Sequence, residues 1–179
     1  MASELIVQTL KGPTSGANAN KVIIPSGQTL ECSSAVVSPG SILQKTTVSQ
    51  NTQQSFTSSS YADTNVYIEL TSEQANSDFF MTFCVGVSPN NFYSIYGRLV
   101  RRISGLSDVT ISEGRVHRAQ GTSTGDADRH YPVTYIDSPS AAAGTTVQYM
   151  FQVASGNNGS MVRVNDNSNT TITLMEIAG

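Results

Sequence analysis

The last ten residues, Thr170 to Gly179, read TTITLMEIAG, and they restrict what the rest of the chain can become. In a two-residue repeat, Ile172 and Leu174 fall on one face and Met175 and Ile177 on the other. A strand apolar on both faces is not half-solvated. Either it is central between two layers, or it covers a core on one side and meets another subunit on the other. The second arrangement places Met175 and Ile177 at a contact between copies.

Charged residues make up only 13% of the 179 residues, and uncharged polar residues fill the balance beside 14 Gly and 6 Pro. That mixture suits short strands and turns. No window of eleven or more residues carries apolar positions at helical spacing between good helix formers. From Asn65 onward the strands are explicit. NVYIEL puts Val66, Ile68 and Leu70 on one face, and DFFMTFCVGV does the same with Phe79, Met81, Phe83, Val85 and Val87. A turn at SPNN leads to FYSIYGRLVRR, followed by DVTISE, GRVHRAQ and YPVTYID. TTVQYMFQVA then aligns Val147, Tyr149, Phe151 and Val153, and SMVRVN and the closing strand complete the series. Turn residues separate these runs, and no strand–helix alternation exists for a parallel sheet. The pattern predicts an all-β fold, an antiparallel sandwich or jelly roll.

Residues 1–45 read differently. Short apolar runs, ELIVQTL and KVIIPSGQTLEC, are divided by the turn-rich GPTSGANAN, and a second turn at Ser38-Pro39-Gly40 leads into Ile42-Leu43. Two such strands cannot form a core alone. We expect a β-rich stem or docking segment over 1–45 and a head domain over 46–179. Residues 46–64, almost without charge, are expected to lie extended along that domain.

Nothing in a net charge of −3 suggests an electrostatic grip on nucleic acid. No signal peptide is visible, and no run is long enough to span a membrane. Two cysteines, Cys32 and Cys84, are too few for a disulfide scaffold, and Cys84 within its apolar strand is expected to pack as a small hydrophobe. The arginines crowd into the second half, from Arg98 to Arg163, and read as solvent-facing strand residues or ion pairs within a sheet.

Gly121-Thr122-Ser123-Thr124-Gly125 matches G-x-S-x-G, with Asp126, Asp128 and His130 following. A nucleophile elbow needs a strand before it, a helix after it and a parallel sheet to hold its partners, and none is present, so we expect no enzyme. Asp126, Asp128 and His130 could face one way towards a cation shared around a symmetry axis, but calcium needs more oxygen donors and zinc more His or Cys, and a solvated loop is the preferred reading. No cofactor or metal is therefore expected. His117, in a strand, reads as structural. The sequons at Asn158 and Asn169 read as coincidence in an Asn- and Ser-rich chain.

The combination YIDSPSAAAGTTVQYMFQV, MVRVN and TTITLMEIAG resembles the C-terminal head domain of bacteriophage tail fibres and related virion proteins. That domain is similar in outline to the C1q and tumour-necrosis-factor-like jelly rolls. KVIIPSGQTLE resembles the segments that precede such heads. The resemblance spans about Tyr67 to Gly179 and is weak between Ile103 and His130. It implies a homotrimeric virion protein, docked on other virion proteins through its N-terminal segment. The head would bind a host-surface receptor or polysaccharide, without nucleic acid and without membrane insertion. Such fibres are usually longer, with a shaft, which implies a short fibre or fibre tip here. The alternative is a capsid decoration protein that stabilises the shell. If the C-terminus lies at the base, counting hairpins backward puts both NDNSN and DSPSAAAG at the distal end. Asp137, Ser138, Asp166, Asn167 and Asn169 are then the candidate receptor residues, with polar groups suited to sugars and with Tyr131 and Tyr135 near enough to stack.

Overall fold

The computed structural model describes residues 13–16, 21–23, 25–27, 38–89, 94–117, 129–156, 160–165 and 169–179. The chain divides into two units, Met1–Val36 and Val37–Gly179. The described residues of the first unit are exposed and include no strand; Ser26 and Gly27 form a turn in which Gly27 takes φ +83. The run ELIVQTL lies outside the described residues.

The second unit is an antiparallel β-sandwich. Its strands are β1 (Ile42–Gln50), β2 (Gln54–Phe56), β3 (Ala62–Thr71), β4 (Asp78–Pro89), β5 (Ile95–Ile103), β6 (Val109–His117), β7 (Arg129–Asp137), β8 (Thr146–Ser155), β9 (Val162–Val164) and β10 (Thr170–Ile177). Setting aside the three-residue strands β2 and β9, one sheet reads β1-β10-β4-β7 and the other β3-β8-β5-β6. Successive long strands alternate between the sheets except at the β5-β6 hairpin, which stays within one sheet, and this is the strand order of a jelly roll. The sandwich begins at Ile42, so residues 42–45 belong to the head and not to the stem. The turn at Ser38-Pro39-Gly40 forms as its sequence requires. Gly40 takes φ +83, and the Ser41 amide donates to the Ser38 carbonyl at 2.9 Å.

Alternation builds the core. Phe79, Met81, Phe83, Val85 and Val87 of β4 face Val147, Tyr149, Phe151 and Val153 of β8, with Ile172 and Leu174 beside the first set and Val66 and Ile68 beside the second. The inner face of β5 carries Gly97 because nothing larger fits. A Cβ there would lie 2.5 Å from a Val116 methyl and 2.6 Å from the Phe151 ring. Gly97→Ala should cost about 2 kcal/mol through overpacking, read as a lower denaturant midpoint at unchanged slope.

Candidate functional site

The outward faces of the two sheets differ in kind. On β3-β8-β5-β6 the outer face is a charged network. The Arg102 guanidinium donates to Asp63 at 2.8 and 2.9 Å and to Asp108 at 2.9 Å, and Gln152 donates to Asp63 at 2.5 Å. The Arg98 guanidinium donates to Gln152 and lies 4.4 Å from the centre of the Tyr61 ring, while the Tyr61 hydroxyl donates to Glu113 at 3.1 Å. The Arg102 hydrogen bonds hold the Asp63 carboxyl below its ordinary range, despite some burial. These half-exposed pairs suit a solvated surface and add little stability.

The outer face of β1-β10-β4-β7 carries rows fixed by register. One row is Lys45, Met175, Phe80 and Ile136; the next towards the C-terminus includes Ile177 opposite Ile42 and Asp78. Ile136 is 56% exposed and Ile42 59%. Met175, Ile177 and Phe80 are half-buried within the single chain. The following row is Thr47, Thr173, Thr82 and Thr134, with Thr47 and Thr173 hydroxyls 3.1 Å apart. Beyond it lie Ser49, Thr171, Cys84 and Pro132. Among the described residues of these strands, Lys45 and Asp78 are the Lys, Arg, Asp or Glu side chains on this face. It is a sparsely charged surface with aliphatic groups towards one end, the type that proteins cover with another protein.

Met175 and Ile177 therefore sit where the alternation predicts, on the face away from the core. The strand is central in its sheet, flanked by β1 and β4. Cys84 departs from expectation. The inward positions of β4 are odd-numbered, so Cys84 faces out and is exposed.

The expected distal cluster is not one cluster. Asp137 and Ser138 lie beside Ile177 and Phe79, at the end of the sandwich where the chain finishes. Asn169 precedes Thr170, which sits beyond the Cys84 register at the opposite end. The hairpin count fails at β9. Its three residues pair with the last residues of β4 and never cross the sandwich, so Ser155, Gly156, Asn165 and Asn169, which flank the two turns, share one end and DSPSAAAG takes the other. Asp137 is also buried rather than displayed, at 8% exposure. Arg101 donates to its two oxygens at 2.8 and 2.7 Å, and the Tyr149 hydroxyl donates at 2.7 Å. Burial and the adjacent Asp137 carboxylate together push the Tyr149 hydroxyl well above its ordinary range. Ser138 is exposed and donates to Asp78 at 2.5 Å, and Asn169 is exposed. Tyr131 is partly buried, 6.0 Å ring to ring from Phe151, and Tyr135 is 42% exposed. Asp166 and Asn167 lie outside the described residues, as do Asp126, Asp128 and the G-x-S-x-G run.

One site was missed by pattern reading. Glu176 faces inward on β10 and is fully buried. Its carboxylate accepts from Gln44 at 2.6 Å, the Ser72 hydroxyl at 2.8 Å and the backbone amides of Glu73 and Gln74 at 2.9 and 3.2 Å. The signal was present: an acid in register with Ile172 and Leu174 must find partners when buried.

No family model matches the chain, and no curated protein does. Among solved structures, that of infectious bursal disease virus Gx strain is similar at TM-score 0.42 and 9% identity, covering 87% of this chain and 40% of that one. The infectious bursal disease virus VP2 subviral particle matches at TM-score 0.37 and 10% identity, covering 93% of this chain and 46% of that one. The chain spans less than half the length of either. Among the described residues, no helix is long and apolar enough to cross a membrane.

Proposed function

We propose that the chain is a non-enzymatic virion protein that assembles as a homotrimer through the outer face of β1-β10-β4-β7 and presents a jelly-roll head to a host-surface receptor, a glycan by the chemistry of its loops. The observation that supports assembly is the contrast between the two outer faces. One is dressed in paired charges, and the other leaves Ile42, Met175, Phe80, Ile136 and Ile177 in a nearly uncharged field. Three copies also give avidity that single weak sugar contacts lack. Exposed Ser138 and Asn169 remain candidate contacts, but at opposite ends, so at most one of them shares a distal tip.

Met175→Lys tests the reading, because its neighbour across the ladder, Lys45, carries the same charge and cannot compensate it. A charge placed in the middle of a desolvated contact costs several kcal/mol, enough to dissociate a trimer at micromolar concentration. Light scattering should report about three chains per particle for the parent and one for the variant, with the same far-ultraviolet spectrum. A parent that is monomeric at these concentrations overturns the assembly. Labelling the protein on intact particles then separates a tail position from a shell position, the latter being the result for a decoration protein.

A further inference from the structure

The outer face of β3-β8-β5-β6 is the one that the proposed assembly leaves open, and it holds two guanidiniums with unused donors. Arg98 donates through Nε to Gln152 and lays its flat side over Tyr61, so its two terminal nitrogens meet no acceptor among the described residues. Arg115, exposed on β6 opposite Tyr96, lies 5.6 Å from the centre of that ring and donates weakly to its hydroxyl at 3.4 Å. Neither arginine is ion-paired among the described residues. Glu113 stands opposite Arg98 in the ladder but accepts from Tyr61 instead. Arg98 and Arg115 are thus diagonal neighbours, about 7 Å apart at Cβ. Two unpaired cations side by side on a chain of net charge −3 are placed for an anion. We propose that this face binds a carboxylated glycan, its carboxylate held between Arg98 and Arg115 and its sugar rings resting on tyrosine. The inference rests on the glycan-receptor reading and moves the contact from the loops to the sheet.

The site is organised before a ligand arrives. Arg102 and Gln152 both donate to Asp63, and Gln152 accepts from Arg98, so one run of hydrogen bonds fixes the side chains around the cations. Beneath them lie Val100 and Met150, outward-facing yet 1% and 8% exposed, and an Arg102 nitrogen rests 3.0 Å from the Met150 sulfur. Side chains held on such a floor lose little freedom on binding. Stacking occupies the flat side of the Arg98 guanidinium and leaves its edge, which offers parallel N–H groups to the two oxygens of a carboxylate. A sugar hydroxyl cannot use that fork fully. Tyr67 is 40% exposed on the same face, in the row of Met150 and Val100. It stands about 12 Å from Arg98 by strand spacing and rise, within reach of further sugars on the same glycan. Asp63, Glu69 and Glu113 share the face and repel a densely charged polymer. They favour acid groups separated by neutral sugars over a phosphate backbone.

The experiment titrates the full chain by calorimetry with hyaluronan fragments, in which carboxylated and neutral sugars alternate, with the same fragments after carboxyl reduction, and with dextran sulfate. The acidic fragments should bind at least about tenfold tighter than the reduced ones. Arg115→Gln, at an exposed position, should weaken that binding about tenfold at an unchanged denaturant midpoint. Arg98→Lys keeps the charge but removes the fork, and should weaken it about fivefold. Met175→Lys should bind per chain as the parent does, because Met175 lies on the other sheet. Equal binding of the reduced fragments overturns the acidic ligand and leaves a glycan receptor standing. Tighter binding of dextran sulfate than of the acidic fragments marks a general polyanion surface and overturns the carboxylate assignment. Binding that Arg98→Lys and Arg115→Gln both leave unchanged overturns the site. No binding of the acidic fragments overturns the inference, while attachment of labelled protein to host cells tests the receptor reading separately.

Discussion

Glu176→Gln should lower stability by about 3 kcal/mol at neutral pH, and the deficit should vanish in acid. Burial alone would raise this carboxyl. The hydrogen bonds from Gln44, the Glu73 amide, Ser77 and Ser72 outweigh burial and hold it at about 2, against an ordinary 4.5. A group held below its unfolded value stabilises the fold fully above about 4.5, and that contribution drains away as the pH falls through about 2. The lowering from 4.5 to about 2 is equivalent to about 3 kcal/mol. Gln keeps the shape but turns an N–H group towards the donors of the 72–77 loop. Urea unfolding of both proteins at fixed concentration should show a gap at pH 7 that narrows below pH 4 and nearly closes at pH 2. A gap of constant size across that range would sink the assignment. The effect reaches assembly, because this carboxylate pins the end of β10 that carries Met175 and Ile177 on its other face.

The second large effect belongs to Asp137. Its carboxylate ties β7 of one sheet to Arg101 on β5 and Tyr149 on β8 of the other. Asp137→Ala leaves a guanidinium and a buried hydroxyl without their acceptor, and should cost about 3–5 kcal/mol. The double change Arg101→Met with Asp137→Leu should recover most of that loss, since it removes the stranded charge along with its partner. Denaturant midpoints of the single and double variants measure both quantities. A single variant within about 0.5 kcal/mol of the parent would mean that the pair is solvated and not structural. Either result bears on recognition, because Asp137 was a receptor candidate on sequence grounds and its oxygens are already occupied.

The sandwich was legible wherever one face repeats over a long strand. Phe79 to Val87 and Val147 to Val153 declare their inward side by strict alternation, and the structure places them as read. Three-residue β9 has no such signature, and treating it as a full crossing inverted the end to which DSPSAAAG belongs. Asp137 looked like a turn residue because its partners Arg101 and Tyr149 are distant or on another sheet, and a local pattern carries no trace of them. Cys84 was misplaced for a simpler reason. Its neighbours Phe83 and Val85 made the whole run look interior, although alternate positions must face opposite ways. The outward role of Met175 and Ile177 was legible, whereas the company they keep, Phe80, Ile136 and Ile42, required the strand order.

The pairing of β1 with β10 has a consequence in time. Gln44 and Glu176 are 132 positions apart, so β1 leaves the ribosome long before its ladder partner β10 exists. Closing so wide a loop is slow relative to local hairpins. Throughout that interval the edge of β4 that β10 will occupy is open, and nascent chains on one messenger lie close together with the same edge exposed. The step that completes the sheet is thus also the step that ends the period of vulnerability to mispairing.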